Sequence, residues 1–173
     1  MKSPITYLLM LMLAFVGSSA IEKPLTLVDL KLEQAGILAG YRDNHPLAQE
    51  IGAKIQTYEE IYPDQTLQNN LSLANKRYTK LKVEQASLSS KYREKHPLRV
   101  KTKKQIEFLE GSFEIQYDEG LLRSILPEKE AVRGQLGMKF RSSHPEVIAI
   151  DRAIQFIEKT LEEIANDIPE PRN

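Results

Sequence analysis

The residues of this chain with the widest chemical reach are its three histidines, His45, His96 and His144, spaced at intervals of 51 and 48 residues. Each stands in one short phrase: Tyr41-Arg42-Asp43-Asn44-His45-Pro46, Tyr92-Arg93-Glu94-Lys95-His96-Pro97 and Phe140-Arg141-Ser142-Ser143-His144-Pro145. Three imidazoles brought side by side would suit zinc or copper, both of which accept nitrogen ligands. No acidic residue is shared by the three phrases, however. A histidine just before a helix-starting proline also has a sufficient local task, since a ring nitrogen can accept one of the orphan amides of the first turn. The expectation is no bound metal and no cofactor, with His45, His96 and His144 as the candidate ligands of the alternative.

Arg42, Arg93 and Arg141 precede each histidine by three residues. As last-turn residues they would stabilise exposed helix carbonyls. As ligand groups they would meet sugars, phosphates or carboxylates of an anionic envelope polymer. The second phrase is the most basic, with Lys91, Arg93, Lys95, Arg99, Lys101, Lys103 and Lys104 against the single acid Glu94. The acids that follow, from Glu107 to Glu119, read as the balancing charges of a solvated helix face.

Other chemistries lack their parts. The chain has no cysteine, so disulfides, thiolate nucleophiles and cysteine zinc sites are excluded. The carboxylate pairs Glu59-Glu60 and Glu162-Glu163 occupy consecutive helical positions, which point in different directions. There is no serine elbow, phosphate loop or H-E-x-x-H helix. The expectation is therefore not an enzyme. With 24 basic and 24 acidic residues the charge is balanced, which argues against nucleic acid as a partner.

The histidine phrases need elements to hold them, and the flanking sequence supplies these. Leu27, Leu30, Gln34, Ile37 and Tyr41 align with Tyr78, Leu81, Gln85, Leu88 and Tyr92, and more weakly with Leu126, Lys129, Arg133, Leu136 and Phe140. Steps of three and four keep one seam facing a partner helix. Beyond each histidine a second seam follows: Ile51, Ile55, Tyr58 and Tyr62, then Thr102, Ile106, Leu109 and Phe113, then Ile150, Ile154, Ile157 and Leu161. Proline removes an amide donor and fits best at the first position of a new helix, so each His-Pro step predicts a tight turn. The alternative is a Pro-kinked continuous helix.

This spacing predicts helices over Leu27 to Arg42, Pro46 to Ile61, Leu67 to Arg93, Pro97 to Ile125, Pro127 to Arg141 and Pro145 to Asn166. Tyr62 to Thr66 carries turn chemistry, and Leu126-Pro127 reads as a sharper turn. The fold class is all-α: six helices in three antiparallel hairpins with coiled-coil-like seams. The third helix, at 26 residues or so, would be about 40 Å long and set the long dimension.

Met1 to Ala20 has the pattern of a secretory signal, with Lys2, an apolar run from Ile5 to Val16, and small Ser18 and Ala20 before the expected cleavage. The apolar run is about 18 Å as a helix, short of a bilayer. The alternative is a retained anchor. Residues 21–167 then form the helical-hairpin repeat domain, and 168–173, with Pro169 and Pro171, a frayed tail. The expected location is outside the cytoplasm, periplasmic or extracellular, with no stable membrane span after cleavage.

The phrases from Lys91 to Pro97 and from Phe140 to Ala149 resemble the periplasmic helical segment of the bacterial polysaccharide chain-length-determinant and exopolysaccharide-transport family. In that family an aromatic residue and a His-Pro step separate two long coiled-coil-like helices. The resemblance covers some 20 residues in each copy. It implies an extended envelope protein with hairpin turns at the His-Pro steps. The sequence departs from the family in lacking a second membrane helix and a kinase region, so polymer-length control is not carried over.

The functional expectation is an exported helical interaction or scaffold protein, binding a protein partner or itself. The alternatives are a periplasmic protein that binds metal or anionic ligands at the hairpin tips, and a holdase-like chaperone.

Overall fold

A computed structural model of the chain describes residues 26–65 and 67–166. The expected signal segment and tail lie outside them. Among the described residues there are six α-helices and no strand: α1 (Leu27–Leu38), α2 (Pro46–Ile61), α3 (Leu71–Lys91), α4 (Pro97–Ser112), α5 (Glu119–Lys139) and α6 (Pro145–Asn166). A 3-10 turn, Leu67–Asn70, leads into α3. None of these helices is long and apolar enough to cross a membrane.

The helices pair as three antiparallel hairpins, α1 with α2, α3 with α4, and α5 with α6. The hairpins stack by one rule used twice. The first helix of a hairpin packs on the second helix of the next, α1 on α4 and α3 on α6. Neighbours therefore follow the order α2, α1, α4, α3, α6, α5, and α2 and α5 are the ends of the array.

Apolar spacing dictates each seam. Leu27 and Leu30 of α1 meet Ile51 and Ile55 of α2, with Ile37 and Tyr58 beside them. Val28 and Leu32, on another side of α1, join Ala74 and Tyr78 of α3 and Ile106 and Leu109 of α4. Val83 of α3 meets Ala153 and Ile157 of α6, and Leu122 of α5 closes that cluster. Removing such side chains from water is the main favourable contribution to the fold.

Four boundaries differ from those read in the sequence. First, α1 stops at Leu38 rather than Arg42: Ala39 is its C-cap and keeps helical angles, and the Gly40 N–H then bonds back only three residues, to the Ile37 carbonyl at 3.0 Å. Second, α3 begins at Leu71, so its 21 residues span about 31 Å rather than 40.

Third, the expected long helix from Pro97 to Ile125 is two helices. Residues 113–118 form an extended link that α3 pins from the side: Gln116 N–H donates to Asn75 Oδ1 at 3.1 Å and Asp118 N–H to Thr79 Oγ1 at 2.9 Å. Tyr117 enters between the middle and third hairpins, 5.3 Å from the Tyr78 ring and 6.0 Å from Phe156. Asp118 then caps α5 by accepting the Leu121 N–H at 2.8 Å.

Fourth, Pro127 lies inside α5 and makes no turn. It sits on the exposed side of the helix, where the carbonyl one turn earlier can bond to water. Leu122 and Leu126 pack toward α6 and hold the helix across it.

Candidate functional site

The three joins share one geometry, built from the aromatic residue onward. The N–H of Tyr41, Tyr92 and Phe140 closes the preceding helix on the carbonyl of Ile37, Leu88 and Leu136, at 3.0, 3.0 and 2.8 Å. The next carbonyl, of Arg42, Arg93 or Arg141, accepts the histidine N–H at 2.9 Å in each case. His45 and His96 are extended, and in all three copies the histidine Nδ1 accepts the N–H two residues on, from Leu47, Leu98 or Glu146, at 3.2, 3.3 and 3.3 Å. The imidazole stacks on the aromatic ring, with centroids 4.0, 3.9 and 4.1 Å apart. Proline fills the first helical position, where no donor is needed.

An imidazole that accepts at Nδ1 carries its proton on Nε2 and is neutral. One nitrogen of each ring is thus committed to the backbone. The hairpins place all three joins along one edge of the array, with two helices between successive tips. At 8–10 Å per helix this is about 20 Å, too far for one ion to bridge. Among the described residues no group of three His, Asp or Glu side chains stands close enough to hold a metal ion.

The arginines take a different place from the one expected. The helices end before Arg42, Arg93 and Arg141, so these lie in the turns and serve them through their carbonyls while their side chains stay exposed. Arg99 is half-buried, and its Nη1 donates to the Tyr92 carbonyl at 3.0 Å, bracing the second tip.

The basic residues of α4 divide between two sides. Lys95, Arg99, Lys103 and Lys104 line an open groove of about 410 Å³ together with Glu94 and Glu107. Lys103 and Lys104 pair with Glu107 at 3.8 and 2.8 Å, and the Lys104 hydrogen bond holds that carboxyl below its usual range. Lys101 faces α1, where it covers Gly36: a Cβ there would stand 2.8 Å from Lys101 Cε. Beside it Gln105 Nε2 donates to the Leu32 carbonyl at 3.0 Å. Lys101 thus belongs to the joint between two hairpins and not to the groove.

Sequence reading passed over the outer side of α5. Ser124, Pro127, Ala131, Gln135 and Met138 fall at steps of three and four, opposite the side that meets α6, and all five are exposed. Its signal was present in the absence of charge at those positions. The false turn at Pro127 had cut the stripe in two.

Compared with known proteins, the chain matches no family model, no curated protein and no solved structure.

Proposed function

We propose that this chain is an exported helical scaffold of the bacterial envelope that binds through helix faces and runs no reaction of its own. The observation that supports it is the open array: among the described helices α2 packs on α1 alone, and α5 packs on α6 with a lighter contact to α3, within a stack whose inner helices are covered on both sides. Such arrays present extended surfaces to partners. The signal-like Met1 to Ala20 and the resemblance of the His-Pro phrases to the chain-length-determinant family support the envelope as its place.

Expression of the full chain from its own start, followed by fractionation and intact mass measurement, tests this reading. The expected product lies outside the cytoplasm and begins at Ile21. A chain that stays cytoplasmic with Met1 retained overturns the location, and turnover of a substrate by the purified protein overturns the scaffold.

The groove at the second tip favours a second reading, in which an acidic polymer lies against Lys95, Arg99, Lys103 and Lys104. It predicts binding to an acidic polysaccharide that weakens steeply with salt and is lost when Arg99 and Lys95 become glutamine.

A further inference from the structure

We infer that the outer face of α5 is a self-association face, on which α5 of a second copy packs antiparallel about a two-fold axis. The inference rests on the scaffold reading and supplies its partner.

Repeat register carries it. Counted from the histidines, Val28, Leu32, Gly36 and Ala39 of α1 correspond to Thr79, Val83, Ser87 and Ser90 of α3, and to Pro127, Ala131, Gln135 and Met138 of α5. On α1 these positions lie under α4, on α3 under α6, and all are buried or half-buried. On α5 the same four are exposed, Met138 to 81%. The side on which two helices of this molecule receive an antiparallel partner is bare on the third. Its four positions carry no charge, and Arg123 and Glu128 stand at its margins, one turn before Pro127 and Ala131.

The opposite end of the array is finished differently. On the second helix of each hairpin the stacking positions are Ala149, Ala153, Phe156 and Thr160 of α6, and Lys101, Gln105, Phe108 and Ser112 of α4. Their equivalents on α2 are Glu50, Lys54, Thr57 and Ile61, all exposed. Glu50 and Lys54 pair with each other at 2.7 Å. This ion pair makes the tip half of the α2 face polar, the way helical arrays close an end against further stacking, while Ile61 at its other end is exposed. Docking α5 of one copy on α2 of the next would press Ala131 and Met138 against that ion pair, and the head-to-tail contact would repeat into an open filament. Docking α5 on α5 joins two faces that are uncharged along the centre and carry Glu128 at the margin, closes after two copies, and keeps the antiparallel direction of the α1–α4 and α3–α6 contacts.

The test uses the whole exported chain in sedimentation velocity and oxidative crosslinking. Ala131→Glu adds a charge at an exposed helical site, and its unchanged circular dichroism would show an intact fold. The expected results are a dimer for the native chain and a twofold lower mass for Ala131→Glu. Because the chain has no cysteine, Ala131→Cys introduces a single thiol near the two-fold and should oxidise to a covalent dimer, whereas Thr57→Cys should not. A native chain that sediments as a monomer overturns the inference. So does crosslinking of Ala131→Cys to Thr57→Cys in a mixture, which would show head-to-tail stacking. A monomer that is exported removes this face and leaves the scaffold standing; a dimer retained in the cytoplasm does the reverse.

Discussion

The two joints between hairpins, α1 on α4 and α3 on α6, occupy equivalent positions and are made of different material. The α3–α6 joint is apolar through most of its length: Val83 lies against Ala153 and Ile157, Thr79 and Thr160 are buried and bonded to backbone carbonyls of their own helices, and an ion pair, Lys91 to Glu146 at 3.2 Å, closes its tip. The α1–α4 joint is apolar only at its base, through Val28, Leu32, Ile106 and Leu109. Toward the tip it becomes polar, where Lys101 lies over Gly36 and Gln105 reaches the Leu32 carbonyl. Equivalent placement thus fixes which helices meet, while the side chains set how firmly they hold. The third hairpin should be fastened chiefly by packing, and the first partly by hydrogen bonds and close approach.

The largest effect should come from the apolar centre of the α3–α6 joint. Ile157→Ala opens a cavity where no side chain can follow, at a cost of about 2–5 kcal/mol in urea unfolding. Next comes Gly36→Leu, which displaces Lys101 and Gln105 and should cost about 1–3 kcal/mol, whereas Gly36→Ala moves only the flexible lysine and should be near neutral. If both glycine variants are silent, the α1–α4 joint is looser than its distances imply.

Removing a tip is smaller still. His96→Ala deletes the cap on α4 and should lower stability by about 1 kcal/mol, with His96→Asn restoring most of it. Gln105→Ala should cost about 0.5–1.5 kcal/mol, because the Leu32 carbonyl keeps its place in α1. The smallest effect is nil at neutral pH and emerges only in alkali. Burial pushes the Tyr78 phenol above its ordinary range, and burial raises Tyr117 as well. An unfolded tyrosine ionises near pH 10, so their contribution is complete below that value and falls as pH rises further. Melting temperature should drop above that pH as tyrosinate absorbance rises, and should drop less steeply in Tyr78→Phe.

The seams and the His-Pro turns were legible because both are local: steps of three and four define a face, and proline after histidine defines a start. Hence α2 and α6 lie within the bounds the sequence indicates, Pro46–Ile61 and Pro145–Asn166. The break at Phe113 was not legible, because Asn75 and Thr79 enforce it from some forty positions away. Pro127 misled for the converse reason. Its propensity favours a turn, and packing on both sides of it outweighs that preference. In the candidate site, Lys95, Arg99, Lys103 and Lys104 line one groove. Lys101 left it because α1, distant in sequence, takes that side of α4.

The stacking order has a kinetic consequence. Only the middle hairpin touches both others, so α3 and α4 must pair before the outer two have anything to settle on. Assembly should run outward from this centre, with the hairpins forming through neighbours in sequence and the α1–α4 and α3–α6 joints closing afterwards over longer separations. A chain halted after α4 would retain α1, α2, α3 and α4 as a unit while exposing Val83 and Thr79, and that uncovered strip is where such a fragment would clump.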